Sequence, residues 1–186
     1  MKRFLAVALA VLPLAASASL PIQMSTDEMA RKADHIAIGR VVKVDLIDKS
    51  ERVSNDPKAR TGPCMGNTIR LHVKIDKVLA TTAKEFPPQV LVPLDSFMHY
   101  SLGQVQSAHE GPALPALYLL KGPSFLPVAP GKFHVGLDEQ KKIMRIYATS
   151  PRAKYIDDTA HDDTAMCRNM EESMLKLQPE TQEKTQ

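Results

Sequence analysis

Two cysteines and six histidines are the sparse equipment for chemistry in this 186-residue chain. Cys64 stands in Gly62-Pro-Cys64-Met-Gly66, a G-x-C-x-G variant of the nucleophile elbow. An elbow lifts its nucleophile on a sharp turn between a strand and a helix. Here a polar loop precedes Cys64 and an alternating, strand-like run follows it, so a catalytic thiolate is not the expected role. Cys167 is the one other cysteine. In an exported chain the favoured reading is an intramolecular Cys64–Cys167 disulfide, against two free thiols or an intermolecular bridge.

The histidines invite a metal reading, above all His99, His109 and Glu110 in the segment from Asp95 to Ala113. Their spacing fits no standard zinc pattern, since there is neither H-E-x-x-H nor paired C-x-x-C. They read as solvated loop residues, and no metal or cofactor is expected. His161 with Asp157, Asp158, Asp162 and Asp163 could offer oxygen ligands to a divalent cation. The same residues are accounted for by an acidic helix start, where the dipole favours negative charge. Glycoside hydrolysis needs two carboxyls held across a cleft. Asp45, Asp76 and Asp95 read instead as strand-end or exposed acids.

The chain opens MKRFLAVALAVLPLAASASL. Two basic residues, a short apolar run and the triplet Ala16-Ser17-Ala18 form the pattern of a secretory leader, with cleavage expected near Ala18. The run is too short for a membrane span and Pro13 interrupts it. No cysteine adjoins the cleavage point to take a lipid, so a soluble periplasmic or secreted protein is expected. Removing Lys2 and Arg3 with the leader lowers the formal charge from +3 to near neutrality. That leaves no field to steer a polyanion, and nucleic acid and anionic membranes are poor partners. With no Trp, 5% aromatics and no Gly-rich phosphate loop, stacking platforms and nucleotide cradles are lacking too.

These residues must be positioned by some frame. Ser25-Thr-Asp-Glu28 reads as a capping box, starting a short helix from about Thr26 to Ala33. HIAIGRVVKVDL (35–46) is rich in Ile and Val and apolar on both faces, as a central strand would be. A turn-rich segment, 48–67, separates it from TIRLHVKIDKVLA (68–80). There Ile69, Leu71, Val73 and Ile75 take the interior and send Arg70, His72 and Lys74 outward. VLVPL (90–94), ALYLLK (116–121), KFHVGL (132–137) and KIMRIYA (142–148) read as further strands, the last two joined as a hairpin through LDEQKK. Met166, Met170, Met174 and Leu177 then recur at helical spacing, as core packing more than a cofactor box. Residues 178–186 form a polar, disordered tail.

The expected fold is mainly β: an OB-like antiparallel barrel of five to six strands, with a short N-terminal helix and a packed C-terminal helix, in one domain over 19–177. In ADHIAIGRVVKVD, RLHVKIDKVLA with VLVPL, and ALYLLKGP, the chain resembles secreted netrin-module and metalloproteinase-inhibitor-like OB domains. The resemblance implies the fold. It does not carry the inhibitory mechanism, because those inhibitors place a mature N-terminal cysteine on the target's zinc and the expected start here, Ser19-Leu-Pro, has none.

The functional expectation is a non-enzymatic binding or inhibitor module of the bacterial envelope, whose partner is another exported protein. OB barrels commonly bind across strands two and three and the adjoining loops. Phe97, Met98, His99 and Tyr100 are therefore the expected contact packet, with Arg70, His72 and Lys74 peripheral. The alternatives are a small envelope hydrolase with a site among His99, His109, Glu110 and His72, or a structural component of an envelope assembly.

Overall fold

A computed structural model describes residues 24–129, 131–151, 167–169 and 172. The expected leader, the 157–163 acidic cluster with His161, the Met166/Met170/Met174/Leu177 positions and the expected tail lie outside these. The capping box forms as the sequence dictates: Ser25 Oγ accepts from the Glu28 N–H, and Glu28 accepts from the Ser25 N–H at 3.0 Å. It starts helix α1, Thr26–Lys32. Strands β1 (His35–Ile47) and β3 (Thr68–Thr81) follow, with a two-residue β2 (Val53–Ser54) in the segment between. Next come β4 (Gln89–Pro93), helix α2 (Leu102–Ala108), β5 (Ala116–Lys121) and the short β6 (Leu126–Pro127) and β7 (His134–Val135). Helix α3, Gln140–Thr149, follows a single 3-10 turn.

The strands form one antiparallel sheet in the order β4-β3-β1-β5-β6, with β2 on β1 and β7 on β5. It is mainly β and it is not closed. β4 and β6, the ends of the path, approach within 8 Å between Cα atoms but form no ladder. β1 is the central strand, as its two-sided apolar character predicts.

Two apolar layers result. The inner one joins Val44, Leu46, Ile69, Leu71, Val73, Val90 and Val92 to Tyr118, Phe133 and Leu102 and Val105 of α2. The outer one packs Met29 and Ala30 of α1, Ala33 at its C-terminal cap and Ile143 of α3 on Ile36, Leu117 and Leu119. β1 serves both. Register shifts after Ile36, Ile38 and Val41 let it send Ile36 to the helices and Val44 to the inner layer. At one shift Gly39 lies so close to β3 that an added Cβ would meet Lys74 O at 2.7 Å and Val73 Cγ1 at 2.9 Å. Because the obstacle includes backbone, Gly39→Ala should cost about 1–3 kcal/mol. An unchanged urea midpoint would show that the strands part freely here.

The mouth of the sheet is locked by His35, which is 1% exposed. Its Nε2 donates to Gly122 O at 2.9 Å, its Nδ1 lies 2.8 Å from Thr81 Oγ1, and its ring packs against Phe86 and Phe125.

The KIMRIYA segment is a correction: it is helical, not a strand. Ile143, Ile146 and Tyr147 recur at i, i+3 and i+4 and turn to the core, while Lys141, Lys142 and Arg145 face water. LDEQKK is accordingly the start of that helix and no hairpin turn. Of KFHVGL, only His134 and Val135 pair, with Tyr118 and Leu117.

Candidate functional site

The expected contact packet lies where β4 ends. Leu94 N–H still bonds Ile69 O at 2.8 Å; then Asp95 Oδ1 accepts the Phe97 N–H at 3.0 Å and turns the chain. A second loop, 61–67, is zipped to this one by Thr61, which is fully buried. Thr61 Oγ1 donates to Met98 O at 2.7 Å and accepts from Tyr100 N–H at 3.2 Å, while Thr61 N–H bonds Tyr100 O at 2.9 Å. Gly62 leaves room for two side chains: an added Cβ would come 2.9 Å from His99 Nδ1 and 3.3 Å from Met65 Sδ. The expected disulfide is formed. Cys64 bonds Cys167 with their Cα atoms 5.3 Å apart, and Cys167 to Asn169 are helical. Beside it lies a cleft of about 270 Å³, lined by Pro63, Cys64, Ser96, Phe97 and Cys167 among others.

Three large apolar side chains stand out from this frame: Met65 at 49% exposure, Phe97 at 37% and Met98 at 38%. His99 is exposed beside them. Tyr100 turns half inward and packs on the inner core. Burial, with the nearby Asp95 charge, raises its hydroxyl pKa. Met65 was not among the residues expected in the contact packet; its place two positions before a strand-leading Asn67 carries no sequence signal of its own.

The charged face of β3 is built differently from a solvated strand face. The alternation holds, with Ile69, Leu71 and Val73 buried. Lys74 is exposed, but Arg70 and His72 converge on Asp45. Asp45 is a correction: it is no exposed acid but is 2% exposed. Arg70 reaches it with Nε at 2.9 Å and a terminal nitrogen at 3.0 Å, and His72 Nε2 lies 2.7 Å away. Gln89 stands 3.2 Å from His72 Nδ1, and Lys43 lies 3.5 Å from the carboxylate. Burial alone would raise the Asp45 pKa; the hydrogen bonds and charges of Arg70 and His72 outweigh it and hold the group at about 2. The strand pairing explains the cluster, because Asp45 lies opposite Arg70 and Lys43 opposite His72.

The other titratable residues are dispersed. His72 belongs to the Asp45 cluster and His99 to the Gly62 loop, whereas His109 and Glu110 lie past the end of α2 in a pocket with Tyr118 and His134. The His99/His109/Glu110/His72 set is thus not gathered in one place. Among the described residues no three metal-ligating side chains are grouped to hold an ion. None of the described helices is long and apolar enough to cross a membrane. The disulfide is compatible with a location outside the cytoplasm. No protein-family model, curated protein or solved structure matches the chain.

Proposed function

We propose that this chain is an exported, non-enzymatic binding or inhibitor module of the bacterial envelope, acting by protein–protein contact through the Met65, Phe97 and Met98 surface. The observation that carries this reading is the pairing of exposure with rigidity. Three exposed apolar side chains stand on two loops tied to each other by a buried threonine, and the first of these loops is also anchored to Cys167 by the disulfide. Apolar anchors held in place before binding lose little entropy on docking, which is what an interface centre requires. Export rests on the leader pattern of residues 1–18 and on the disulfide. An OB-like, netrin-related architecture is the reading of the open antiparallel sheet, and zinc-directed inhibition through a terminal cysteine is no part of it.

The test is affinity capture from envelope extract of the source organism with the oxidised protein as bait, followed by titration of the captured partner. Phe97→Ala should weaken binding by about 1–3 kcal/mol, and Lys74→Ala by about 1 kcal/mol or less. Lys74 is the charge control because Arg70 and His72 also hold Asp45. Equal, negligible effects at Phe97, Met98 and Lys74 with the fold intact would move the interface elsewhere.

A further inference from the structure

The central strand has an open edge. On one side β1 pairs with β3 along its length, from His35 opposite Thr81 to Ile47 opposite Thr68. On the other side it pairs with β5 only from His35 to Gly39, and with β2 only at Leu46 and Ile47. Between Arg40 and Asp45, no strand among the described residues covers that side. At ~3.3 Å per residue the window is about 20 Å long.

Buried or half-buried strand edges are normally paired or covered, because each unmet backbone N–H or C=O costs free energy. Here the edge opens on a groove of about 500 Å³ whose one wall is Val41, Val42, Lys43 and Val44. Gln106 and Ala113 stand on the other. Gln106 Nε2 points at Val44 O from 3.4 Å, so a side-chain amide sits where the N–H of a neighbouring strand would lie. The groove adjoins a second cavity of about 270 Å³ that shares Val41, His109 and Ala113 and is also lined by Tyr118 and His134. At its rim Val42 is 50% exposed and Leu114 79%.

We infer that this window is a second binding site, which takes one extended peptide segment of about four to six residues as an added strand on β1, with small or aliphatic side chains at alternate positions. Backbone complementarity selects the occupant. Only an extended chain offers N–H and C=O groups at the repeat of the open edge. The shape selects against a second copy of this sheet, because α2 and the 109–116 segment wall the groove. The lining selects the side chains: Val41, Val44, Ala113 and Leu114 are apolar. The partial desolvation of His109 and His134 lowers both pKa values, and the charge of His109 lowers that of His134 further. The site is separate from the Phe97 surface and stands without it.

The experiment is selection of a displayed random hexapeptide library on the intact oxidised protein, with measurement of the enriched peptides by fluorescence anisotropy. Apolar residues should be enriched at alternate positions. N-methylation of alternate peptide nitrogens should cut affinity about tenfold or more, through loss of backbone donors. Ala113→Trp, which fills the groove, should do the same, with far-UV circular dichroism confirming its fold. Val42→Glu, at a half-exposed position, is the second variant should the first misfold. Phe97→Ala should leave peptide affinity unchanged. The inference is overturned if the protein enriches nothing beyond what the groove-filled variant enriches. Peptides that bind equally well when N-methylated, or that follow Phe97 instead of the groove, overturn it too.

Discussion

Cys64→Ser should lower the stability of the oxidised protein by about 2–5 kcal/mol, and Cys167→Ser by the same amount. The bond links residues 103 positions apart. On the chain-entropy model a loop of that length restricts the unfolded chain by nearly 5 kcal/mol, an upper value because native strain subtracts from it. Since each substitution breaks the same bond, the double variant should lose no more than either single one, and reduction of the unaltered protein should match all three. Denaturant unfolding of the four states measures this directly. Losses that add in the double variant would mean that each thiol contributes through its own packing and not through the link. The sheet itself should survive, because no ladder bond depends on Cys64. What should loosen is the 61–67 loop, where Cys64 and Gly66 both have positive φ, of 64° and 67°. Partner affinity at the Phe97 surface should then fall along with stability, since Met65 stands on that loop and His99 lies against it at Gly62.

The sequence shows the frame more readily than the site, for physical reasons that differ from element to element. β1, β3 and β5 announce themselves because each buries a face at period two or is apolar throughout, and the observed spans differ from the expected ones by a residue or so. α1 announces itself through one capping box. Its counterpart goes unread: Ser101 and Gln104 make the same reciprocal hydrogen bonds at the start of α2, inside a segment that otherwise looks like loop. The S-x-x-Q spacing was the available signal. In KIMRIYA, β-branched isoleucines suggest a strand, yet apolar residues at i, i+3 and i+4 after two acids suit a helix better, and burial of that face decides the outcome. The cysteine pair was legible by elimination. The Asp45 cluster was not, because it needs two strands in register, with Asp45 set opposite Arg70; neither strand alone distinguishes an outward charge that is solvated from one that is covered. The open window in β1 is less legible still, being a property of which strands stop short.

The Asp45 cluster gives the second large effect. Asp45→Ala should cost about 2–4 kcal/mol, because it leaves Arg70 and His72 partly buried without their shared anion. The figure lies below that for a fully buried pair, since Arg70 is 21% exposed and can turn to water. Asp45→Asn, which keeps the size and part of the hydrogen bonding but not the charge, should cost less than alanine. Titration supplies an independent measure of the same interaction. The folded-state pKa of about 2 is below the 3.8 of an unperturbed aspartate, so the unfolded chain binds the proton more readily. The carboxylate therefore adds stability that is fully present above about pH 4, is lost as pH falls toward 2, and amounts to about 2 kcal/mol. The unaltered protein should lose that increment between pH 4 and 2. Asp45→Asn, having no proton to take up at this position, should show an acid limb shallower by the same amount. Urea unfolding of both proteins at several pH values across this range would measure the difference. Parallel acid limbs would mean that Asp45 titrates as an ordinary carboxyl, and that Arg70 and His72 lie over it without stabilising its charge.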